Sequence, residues 1–361
     1  MRTIITILDS IVATSMPYNE FVLYRAKHYK EEKQHLIICN SHNDRVDENI
    51  PDNLKIDYIG SNCLRWRKSL IKIISYYKNN KQPYVVHLHQ AGPSMKILLL
   101  MMGTGFNNKV IFTVHSTFSG YPLHNKIRSF IDGMLSRYVV CCSKCSFASY
   151  PKILKKIKQQ RIVAIQNGVD ISRIEETVST VKRKLHDGVV FVFVARMVPI
   201  KNHRLILDIA HKTSPNVSFL LIGDEDKEIV RRIKEEHLED KIVVTGLIPR
   251  PKVFEMLMNS DIYISPSTLE GLPVSVLEGM YIGLPAVLSD IPQHQEIASR
   301  CDFVNIIPTE PEEWIKTIND WAEKDRGYLL EMGAKSRDYV KSNFSLEKMH
   351  EQYDEIYNKL I

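Results

Sequence analysis

Short apolar runs recur along all 361 residues, and they constrain the fold more than any other feature of the sequence. Most of the runs are continuous rather than alternating with polar residues, and a longer amphipathic stretch follows most of them. The runs occupy residues 3–8, 35–39, 84–88, 110–114, 138–142, 162–165, 189–194, 217–222, 242–245, 262–265, 286–288 and 303–306. This pattern is typical of strands buried on both faces of a parallel sheet that helices cover, so we predict an α/β protein.

The number of runs indicates two domains. Single cores rarely grow past roughly 250–300 residues, and these strands are too many for one compact doubly wound sheet. A polar stretch at residues 170–187 divides the strands evenly. We therefore predict two Rossmann-like, doubly wound domains that face each other across a cleft, the first over residues 1–175 and the second over residues 186–344.

A helical pattern occupies the last residues of the chain. Its apolar residues are spaced three or four apart, which places them on one face of a helix. They are Met349, Tyr353, Ile356, Tyr357 and Leu360. The predicted helix over residues 345–361 is a candidate to pack back on the first domain.

Composition excludes several classes of protein. The chain is 44% hydrophobic and 25% charged, which is ordinary for a folded protein. Its apolar runs are far shorter than the ~20 residues that cross a bilayer. Asp9 follows the first run at once, so we interpret residues 3–8 as a strand rather than a signal peptide. Six scattered cysteines lack metal-site spacing and suit a reducing compartment, so we expect a cytoplasmic protein.

Basic residues are concentrated in the first half of the chain. Residues 1–170 contain 24 Lys and Arg against 11 Asp and Glu, whereas the remainder contains 24 against 31. Residues 63–78 form a basic amphipathic pattern that includes Trp66, Tyr76 and Tyr77. Such a helix can lie on an anionic membrane surface, although an ordinary helix with a solvated basic side has the same pattern. The residues expected to contact the membrane are Arg65, Arg67, Lys68 and Lys72. No base-reading motif accompanies the charge, so we expect no nucleic acid partner.

The segment over residues 265–279 joins a strand end, a polar loop and a helix that starts near Pro273. Ligands of open α/β sheets bind at the carboxyl ends of strands, and a helix N-terminus attracts anions. The backbone N–H groups expected to face an anion are those of Gly271, Leu272 and Val274. Glu270 and Glu278 can line one cleft and accept hydrogen bonds from hydroxyl groups. A loop Glu and an exposed helix Glu would give the same pattern.

Two cations follow the first strand of the second half. Arg196 and Lys201 come soon after residues 189–194, where they could neutralise a diphosphate. Two solvated loop charges are the alternative.

These motifs, in this order, resemble the retaining glycosyltransferases of family 4, which have the GT-B fold. The resemblance covers residues 189–297. It rests on Arg196, Lys201-Asn202, Gly223, Gly246, Glu270-Gly271-Leu272-Pro273, Glu278 and Gly283-Leu284-Pro285. In the first half, the histidines of residues 87–89 and His115 resemble the family's strand-end histidines. The loop over residues 10–16 departs from the family, which often has a Gly-Gly pair there.

The resemblance implies a role for each matching residue. Arg196 and Lys201 would hold the diphosphate of a UDP- or GDP-sugar, Glu278 the ribose, and Glu270 the transferred sugar. His115 would lie near the reacting face of that sugar. Gly246 and Leu247 would lie at the base, while Gly271, Leu272, Pro273 and Val274 would complete the donor site. The acceptor would be a sugar or a lipid-linked saccharide in cell-surface polysaccharide synthesis, such as O-antigen or capsule, at the inner face of a membrane.

The family resemblance implies no cofactor and no metal requirement. Asp224-Glu225-Asp226 matches the acidic pair that holds Mn²⁺ or Mg²⁺ in another class of transferase, but it follows Gly223 in a strand-to-helix turn. His87, His89 and His115 could form a metal triad, although strand-end histidines are more often structural or substrate-facing. A hexosyltransferase is the leading hypothesis. A non-catalytic GT-B protein that binds a nucleotide-sugar or a partner, or a nucleotide-sugar epimerase, is the alternative.

Overall fold

The computed structural model describes residues 1–9, 17–39, 50–89, 91–184, 186–299 and 301–361. The atypical loop over residues 10–16 lies outside the described residues. The chain divides into two compact units. The first unit comprises Met1–Asn167 and Met349–Ile361, and the second comprises Gly168–Lys348.

The first unit is built on a parallel sheet. Its strands are β1 (Thr3–Leu8), β2 (Lys33–Ile38), β3 (Leu54–Tyr58), β4 (Tyr84–Leu88), β5 (Val110–Val114), β6 (Tyr138–Cys141) and β7 (Ile162–Ala164). Its helices are α1 (Pro17–His28), α2 (Cys63–Asn79), α3 (Ala91–Leu100), α4 (Leu123–Leu135), α5 (Lys144–Ser149) and α6 (Lys152–Lys158). The strand order is β3-β2-β1-β4-β5-β6-β7, so the order reverses between β1 and β4.

The second unit repeats this architecture. Its strands are β8 (Val189–Val194), β9 (Val217–Ile222), β10 (Ile242–Val244), β11 (Ile262–Ser265), β12 (Ala286–Ser289) and β13 (Val304–Ile307). Its helices are α7 (Ile171–Val178), α8 (His203–Ala210), α9 (Lys227–Glu235), α10 (Arg250–Met258), α11 (Val274–Ile282), α12 (Pro292–Ala298), α13 (Pro311–Ala322) and α14 (Arg326–Asn343). The parallel strands follow the order β10-β9-β8-β11-β12-β13, with the reversal between β8 and β11. The prediction of an α/β protein with two doubly wound sheets is confirmed.

Burial explains which strands the sequence predicted. All five residues of β4 and of β5 are buried, which matches their continuous apolar runs. The described strand that the sequence analysis missed is β3, which lies at the edge of its sheet and has only Leu54 fully buried. An edge strand with exposed charged residues does not show the continuous pattern of a central strand.

Helix α15 (Leu346–Asn358) follows α14, and from Met349 onward its residues belong to the first unit. Its apolar face is buried there through Met349, Tyr353 and Tyr357. Helix α7, which Asp170 caps, lies in the polar stretch that we interpreted as a linker. The second unit therefore begins at Gly168, before the boundary expected at residue 175.

Candidate active site

The predicted site residues of the second unit follow strands at the point where the strand order reverses. Arg196 and Lys201 follow β8, and Glu270 follows the neighbouring strand β11. Because both strands are parallel and paired, their carboxyl ends meet at one edge of the sheet. Open α/β sheets bind ligands at such a reversal, because the connections on either side diverge and leave a crevice.

A salt bridge joins the loops that follow β8 and β11. Lys201 Nζ lies 2.5 Å from Oε1 of Glu270, and both side chains are largely buried. The Thr268 N–H also donates to the Ile200 carbonyl at 2.8 Å, so the two loops are joined through their backbones as well. Arg196 is exposed. The structure thus brings Lys201 and Glu270 together. Arg196, on the same loop as Lys201, faces solvent.

Glu278 lies in the middle of α11, surrounded by apolar neighbours. The residue is 3% exposed, and every residue from Val276 to Ile282 is buried. A buried carboxylate is costly unless a charged or hydrogen-bonding partner compensates it. Its partner is Arg250, whose Nη2 donates to Oε1 of Glu278.

Arg250 is a functional candidate that the sequence analysis missed. It opens α10, shortly after the end of β10, and its guanidinium lies 4.9 Å from the ring centre of Phe254. The sequence does carry a signal for it, because a cation soon after a strand end is the same pattern that identified Arg196.

The start of α11 is a proline N-cap beside a tight turn. Pro273 is the N-cap residue, as a helix starting near this proline requires. However, the Val274 N–H donates to the Leu272 carbonyl at 2.9 Å. In this conformation of the loop a tight turn uses the donor, and the expectation that this N–H group faces an anion stays a prediction. Leu272 itself is buried, and Gly271 lies half-buried at the loop.

The predicted base-binding residues lie on the loop after β10. Gly246 has a φ of 68°, which non-glycine residues rarely adopt, and a Cβ at this position would lie 3.2 Å from Oε1 of Glu225. Leu247 is 64% exposed. The turn at Gly246 therefore leaves an apolar side chain unburied at the carboxyl end of the sheet.

Two glycines allow close packing beneath the site. A Cβ at Gly223 would overlap the Ala195 carbonyl, and a Cβ at Gly279 would overlap the ring of Tyr263. Tyr263 is fully buried, and its hydroxyl lies 3.3 Å from both backbone polar atoms of Val194, at the end of β8. These contacts fix the end of β8 against β11 and α11.

The acidic loop after β9 is engaged in backbone hydrogen bonds. Asp224 accepts from the Met197 N–H at 2.6 Å, and Asp226 caps α9 by accepting from Glu228 and Ile229. These bonds give two of the three carboxylates a structural role. Among the residues that the structure describes, no group of three His, Cys, Asp or Glu side chains is arranged to hold a metal ion.

A buried histidine beneath the Glu270 loop was also missed by the sequence analysis. His294 Nδ1 lies 2.8 Å from the Ser289 carbonyl, and Nε2 lies 3.4 Å from Oγ of Ser265. Ser265 in turn donates to Ser267 at 3.1 Å. Burial lowers the pKa of His294, so a neutral imidazole links the ends of β11 and β12. The sequence carried no signal for this contact, because a histidine within a helical segment is common.

His115 lies in the first unit, directly after β5. Its Nε2 is 3.0 Å from Nδ1 of His89, and burial lowers the pKa of His115 to about 4. His87 stacks on His89, donates or accepts at Thr113 and Tyr357, and also has a lowered pKa because of burial. The three histidines are therefore neutral near pH 7, and one ring nitrogen of the His89–His115 pair carries the shared proton.

Family models match both halves of the chain. The model for glycosyltransferase family 4 matches residues 21–173, and the model for glycosyl transferases group 1 matches residues 175–342. A structure of the Anabaena protein HepE in complex with UDP and glucose superposes with a TM-score of 0.78 at 15% identity, over 99% of this chain and 100% of that chain. Several solved GT-B structures share the same architecture.

The curated relatives have low sequence identity to this chain, but several of them match it over most of its length. An O-antigen biosynthesis glycosyltransferase of Escherichia coli is 23% identical over 82% of this chain and 86% of its own length. A galactosyltransferase of Escherichia coli, named for the acceptor α-D-GlcNAc-diphosphoundecaprenol, is 24% identical over 71% of each chain. A phosphatidylinositol N-acetylglucosaminyltransferase chain of Arabidopsis thaliana is 25% identical over 65% of this chain, which spans about half (53%) of that relative. The order of the site motifs, the paired doubly wound sheets and both family models agree, and the chain belongs to glycosyltransferase family 4, with the GT-B fold.

Proposed function

We propose that this glycosyltransferase moves a sugar from a nucleoside-diphosphate sugar to its acceptor with retention of the anomeric configuration. The observation that carries the proposal is the pair of carboxylates at the strand-order reversal, each held by its own cation: Glu270 by Lys201 and Glu278 by Arg250. Similar structures with UDP or UDP-glucose bound support a nucleotide-sugar donor.

Cationic side chains would hold the diphosphate of the donor, and a carboxylate would accept hydrogen bonds from the hydroxyls of the transferred sugar. Arg196 offers a guanidinium fork and Lys201 a point charge to the diphosphate. An ammonium group has three donors, so Lys201 can contact a phosphate while it keeps its bond to Glu270. Glu270 would then accept from hydroxyls of the transferred sugar.

The rest of the donor would lie along α11 and the loop after β10. Glu278 would accept from the ribose, and Gly246 and Leu247 would border the base. Gly271 and Leu272 would offer backbone N–H groups, while Pro273 and Val274 begin the helix whose positive end favours the diphosphate.

Retention is proposed to occur on one face of the sugar. The bond from the anomeric carbon to the diphosphate oxygen breaks, the acceptor oxygen bonds to that carbon from the same side, and the acceptor proton passes to the departing phosphate. Arg196 and Lys201 would stabilise the charge that develops on the leaving group. We place neutral His115 near the reacting face as a hydrogen-bonding group, and we propose that no metal or other cofactor is required.

The first test replaces Glu270 with alanine. We expect transfer to fall by roughly 100-fold or more, because the side chain would act on the sugar that carries the developing charge. The donor is first identified by hydrolysis of a panel of UDP-, GDP- and ADP-sugars, and the anomeric configuration of the product is read by NMR. Glu239→Ala, at an exposed position of the same unit, is the matched control. Full activity of Glu270→Ala would refute the site, and an inverted product would refute retention.

The second test concerns the diphosphate. We expect Arg196→Ala and Lys201→Ala each to raise the KM for the donor roughly tenfold or more, because each leaves phosphate charge unmatched. Lys201→Ala also leaves Glu270 without its cation, so this variant should lose kcat as well. Titration with UDP and with uridine separates the effects: both variants should weaken UDP and leave uridine unchanged. Equal weakening of both ligands would contradict the assignment.

We further propose that the acceptor is a lipid-linked saccharide and that the first unit attaches to an anionic membrane face, in cell-surface polysaccharide synthesis. The acceptor named for the Escherichia coli galactosyltransferase supports the lipid link. On α2, Arg65, Lys68, Lys72 and Tyr76 are exposed at spacings of three and four. None of the described helices has the length and apolar character needed to cross a bilayer.

The sequence prediction for α2 is wrong for two of its three aromatic residues, whereas Tyr76 is exposed. Trp66 is buried and donates to the Gly60 carbonyl, and Tyr77 is buried as well, so neither can enter a membrane interface. Exposed apolar residues lie instead on α4 and α6, which pack on each other: Leu123, Ile127 and Met134 on α4, and Ile153 and Ile157 on α6. Exposed Lys152 and Lys156 flank the α6 pair. Apolar residues beside lysines suit a surface with anionic headgroups.

Co-sedimentation with liposomes tests the attachment. We expect binding to anionic vesicles at low salt, and loss of binding when Arg65, Arg67, Lys68 and Lys72 are reversed to glutamate, because each basic residue near such a surface contributes about 1 kcal/mol. Replacement of Leu123, Ile127, Ile153 and Ile157 by serine should weaken binding at high salt, where the apolar contribution dominates. Reversal of Arg231 and Lys234, on the second unit, is the control. Absence of binding to vesicles, or binding insensitive to both sets, would refute the proposal.

A further inference from the structure

The buried ion pair between Arg250 and Glu278 carries an inference about how the proposed site selects its nucleotide. Arg250 is the first residue of α10, the helix after β10, and Glu278 lies on α11, the helix after β11, so two separate connections meet at this contact. The side chains are 14% and 4% exposed. The pair is therefore nearly desolvated, and its partners constrain each other more than a surface pair would.

Burial of Glu278 imposes a large desolvation free energy on an ionised side chain at this position. Its helix is buried from Val276 to Ile282, and its neighbours Leu277, Gly279 and Met280 offer no polar side chain. Without a cation, a carboxylate in such surroundings would take up a proton or turn toward water. The Arg250 guanidinium keeps the carboxylate charged and directs Oε1 toward α10.

The geometry also leaves Glu278 able to bind. A carboxylate has about four acceptor positions, and one guanidinium N–H group occupies one of them. Arg250 is itself held in place by the ring of Phe254, one turn further along α10. The guanidinium is thus positioned by its own helix before any ligand arrives.

We propose that Arg250 is a positioning residue for nucleotide recognition: it holds Glu278 ionised and oriented so that the other oxygen of the carboxylate accepts from the ribose hydroxyls of the donor. This inference rests on the proposed function, which assigns the ribose to Glu278. Arg250 does not touch the nucleotide. It acts through the carboxylate, and the predicted consequence is discrimination between ribonucleotides and deoxyribonucleotides.

Binding of UDP and GDP, each with its 2′-deoxy and 3′-deoxy analogues, tests the inference in the full-length protein. For the wild-type protein we expect the tighter ribonucleotide to bind roughly 10- to 100-fold better than at least one of its deoxy analogues, the effect of one hydrogen bond to a charged group. In Arg250→Ala this ratio should fall toward one, because affinity for the ribonucleotide is lost while affinity for the deoxy analogue is kept. Arg250→Lys, which keeps a cation, should restore most of the ratio. In transfer assays the loss should lie in KM rather than kcat.

Controls separate this inference from the proposed function. Glu278→Gln should also abolish discrimination, and adding Arg250→Ala to Glu278→Gln should change the ratio no further. Arg326→Ala removes a guanidinium partner of another buried carboxylate, Asp261. This carboxylate accepts from the Val190 N–H near the start of β8, at the amino ends of the strands of the same sheet. This matched control should lower the unfolding midpoint and keep the wild-type ratio.

Two results would overturn the inference alone: an Arg250→Ala variant that weakens ribonucleotide and deoxy analogue equally, which would place the guanidinium on the phosphate or base, or one that keeps the wild-type ratio while Glu278→Gln loses it. If Glu278→Gln keeps the wild-type ratio, the assignment of the ribose to Glu278 fails, and the inference fails with it. Unfolding curves of each variant show whether a loss of binding follows from a loss of fold.

Discussion

Gly279 shows how a single residue sets the geometry of the site. It faces the ring of Tyr263 so closely that a methyl group would overlap it, and Tyr263 in turn contacts the backbone of Val194. We expect Gly279→Ala to lower the free energy of unfolding by about 1–3 kcal/mol, because the ring must move within a packed core. Urea unfolding measures the change. Gly92→Ala is the control, since the atom nearest to a methyl group at that position would be 3.9 Å away. Equal stability of the two variants would contradict the packing argument.

At the scale of residues, the sequence predicted the groups whose position follows from a strand end. Lys201 and Glu270 were assigned from the ends of two runs, and they form a salt bridge in the structure. Arg250 and His294 were missed because each contacts a partner on another connection, Glu278 at 28 residues and Ser265 at 29 residues along the chain. The hydrogen-bond partners of backbone groups could not be predicted from the sequence either. Only the folded loop shows that the Val274 N–H donates to the Leu272 carbonyl.

Helix α15 is the element whose contribution to stability is easiest to test. Arg25, fully buried on α1, bonds Glu32 at 2.7 Å and Asp354 of α15 at 2.6 Å. Arg25→Ala should lower the free energy of unfolding by roughly 3–5 kcal/mol, because two carboxylates lose a buried partner. Arg231→Ala, which removes an exposed pair with Glu235 on α9, should cost less than about 1 kcal/mol. Chemical denaturation of both variants gives the comparison, and similar losses would show that burial does not decide the cost.

Elements were predictable where burial on both faces gives a continuous apolar run, as in β4 and β5. The edge strand β3 was missed because its exposed side chains break that pattern. On α2, periodicity identified the amphipathic helix but could not show which aromatic side chains face the core. Trp66 was expected at a membrane interface and is buried. Helical spacing places residues on a common face without stating what covers that face.

Buried histidines predict how the whole molecule responds to acid. Burial lowers the pKa of His115 and His203 to about 4, and of His87, His89 and His350 well below the ordinary value. In the unfolded chain these groups titrate near 6.5, so between that pH and about 4 the unfolded state binds protons that the folded state does not. Stability must therefore fall as the pH falls through this window, by up to about 1.4 kcal/mol per pH unit for each group. Asp132, whose pKa burial raises to about 9, opposes the trend as a single group.

Urea unfolding at about pH 7 and about pH 5 measures this dependence. Four of these five histidines lie in the first unit, so its transition should move more than that of the second. Trp66 is the one tryptophan of the first unit, and its fluorescence follows that transition in a background with phenylalanine at Trp314 and Trp321. A midpoint that rises on acidification would contradict the prediction.

The division into two doubly wound units was predictable from the number of runs. The assignment of residues 349–361 to the first unit required the structure, because periodicity does not identify the partner of a helix.

That assignment has a consequence for the order of events during synthesis. The first unit is discontinuous, and its buried residues include Tyr353 and Tyr357, which are made only after the whole of the second unit. Chains emerge from the ribosome in sequence order and their domains generally fold as units. The second unit, Gly168–Lys348, is therefore complete before the first can bury His87 and Arg25, and the unit made first is the one that finishes folding last.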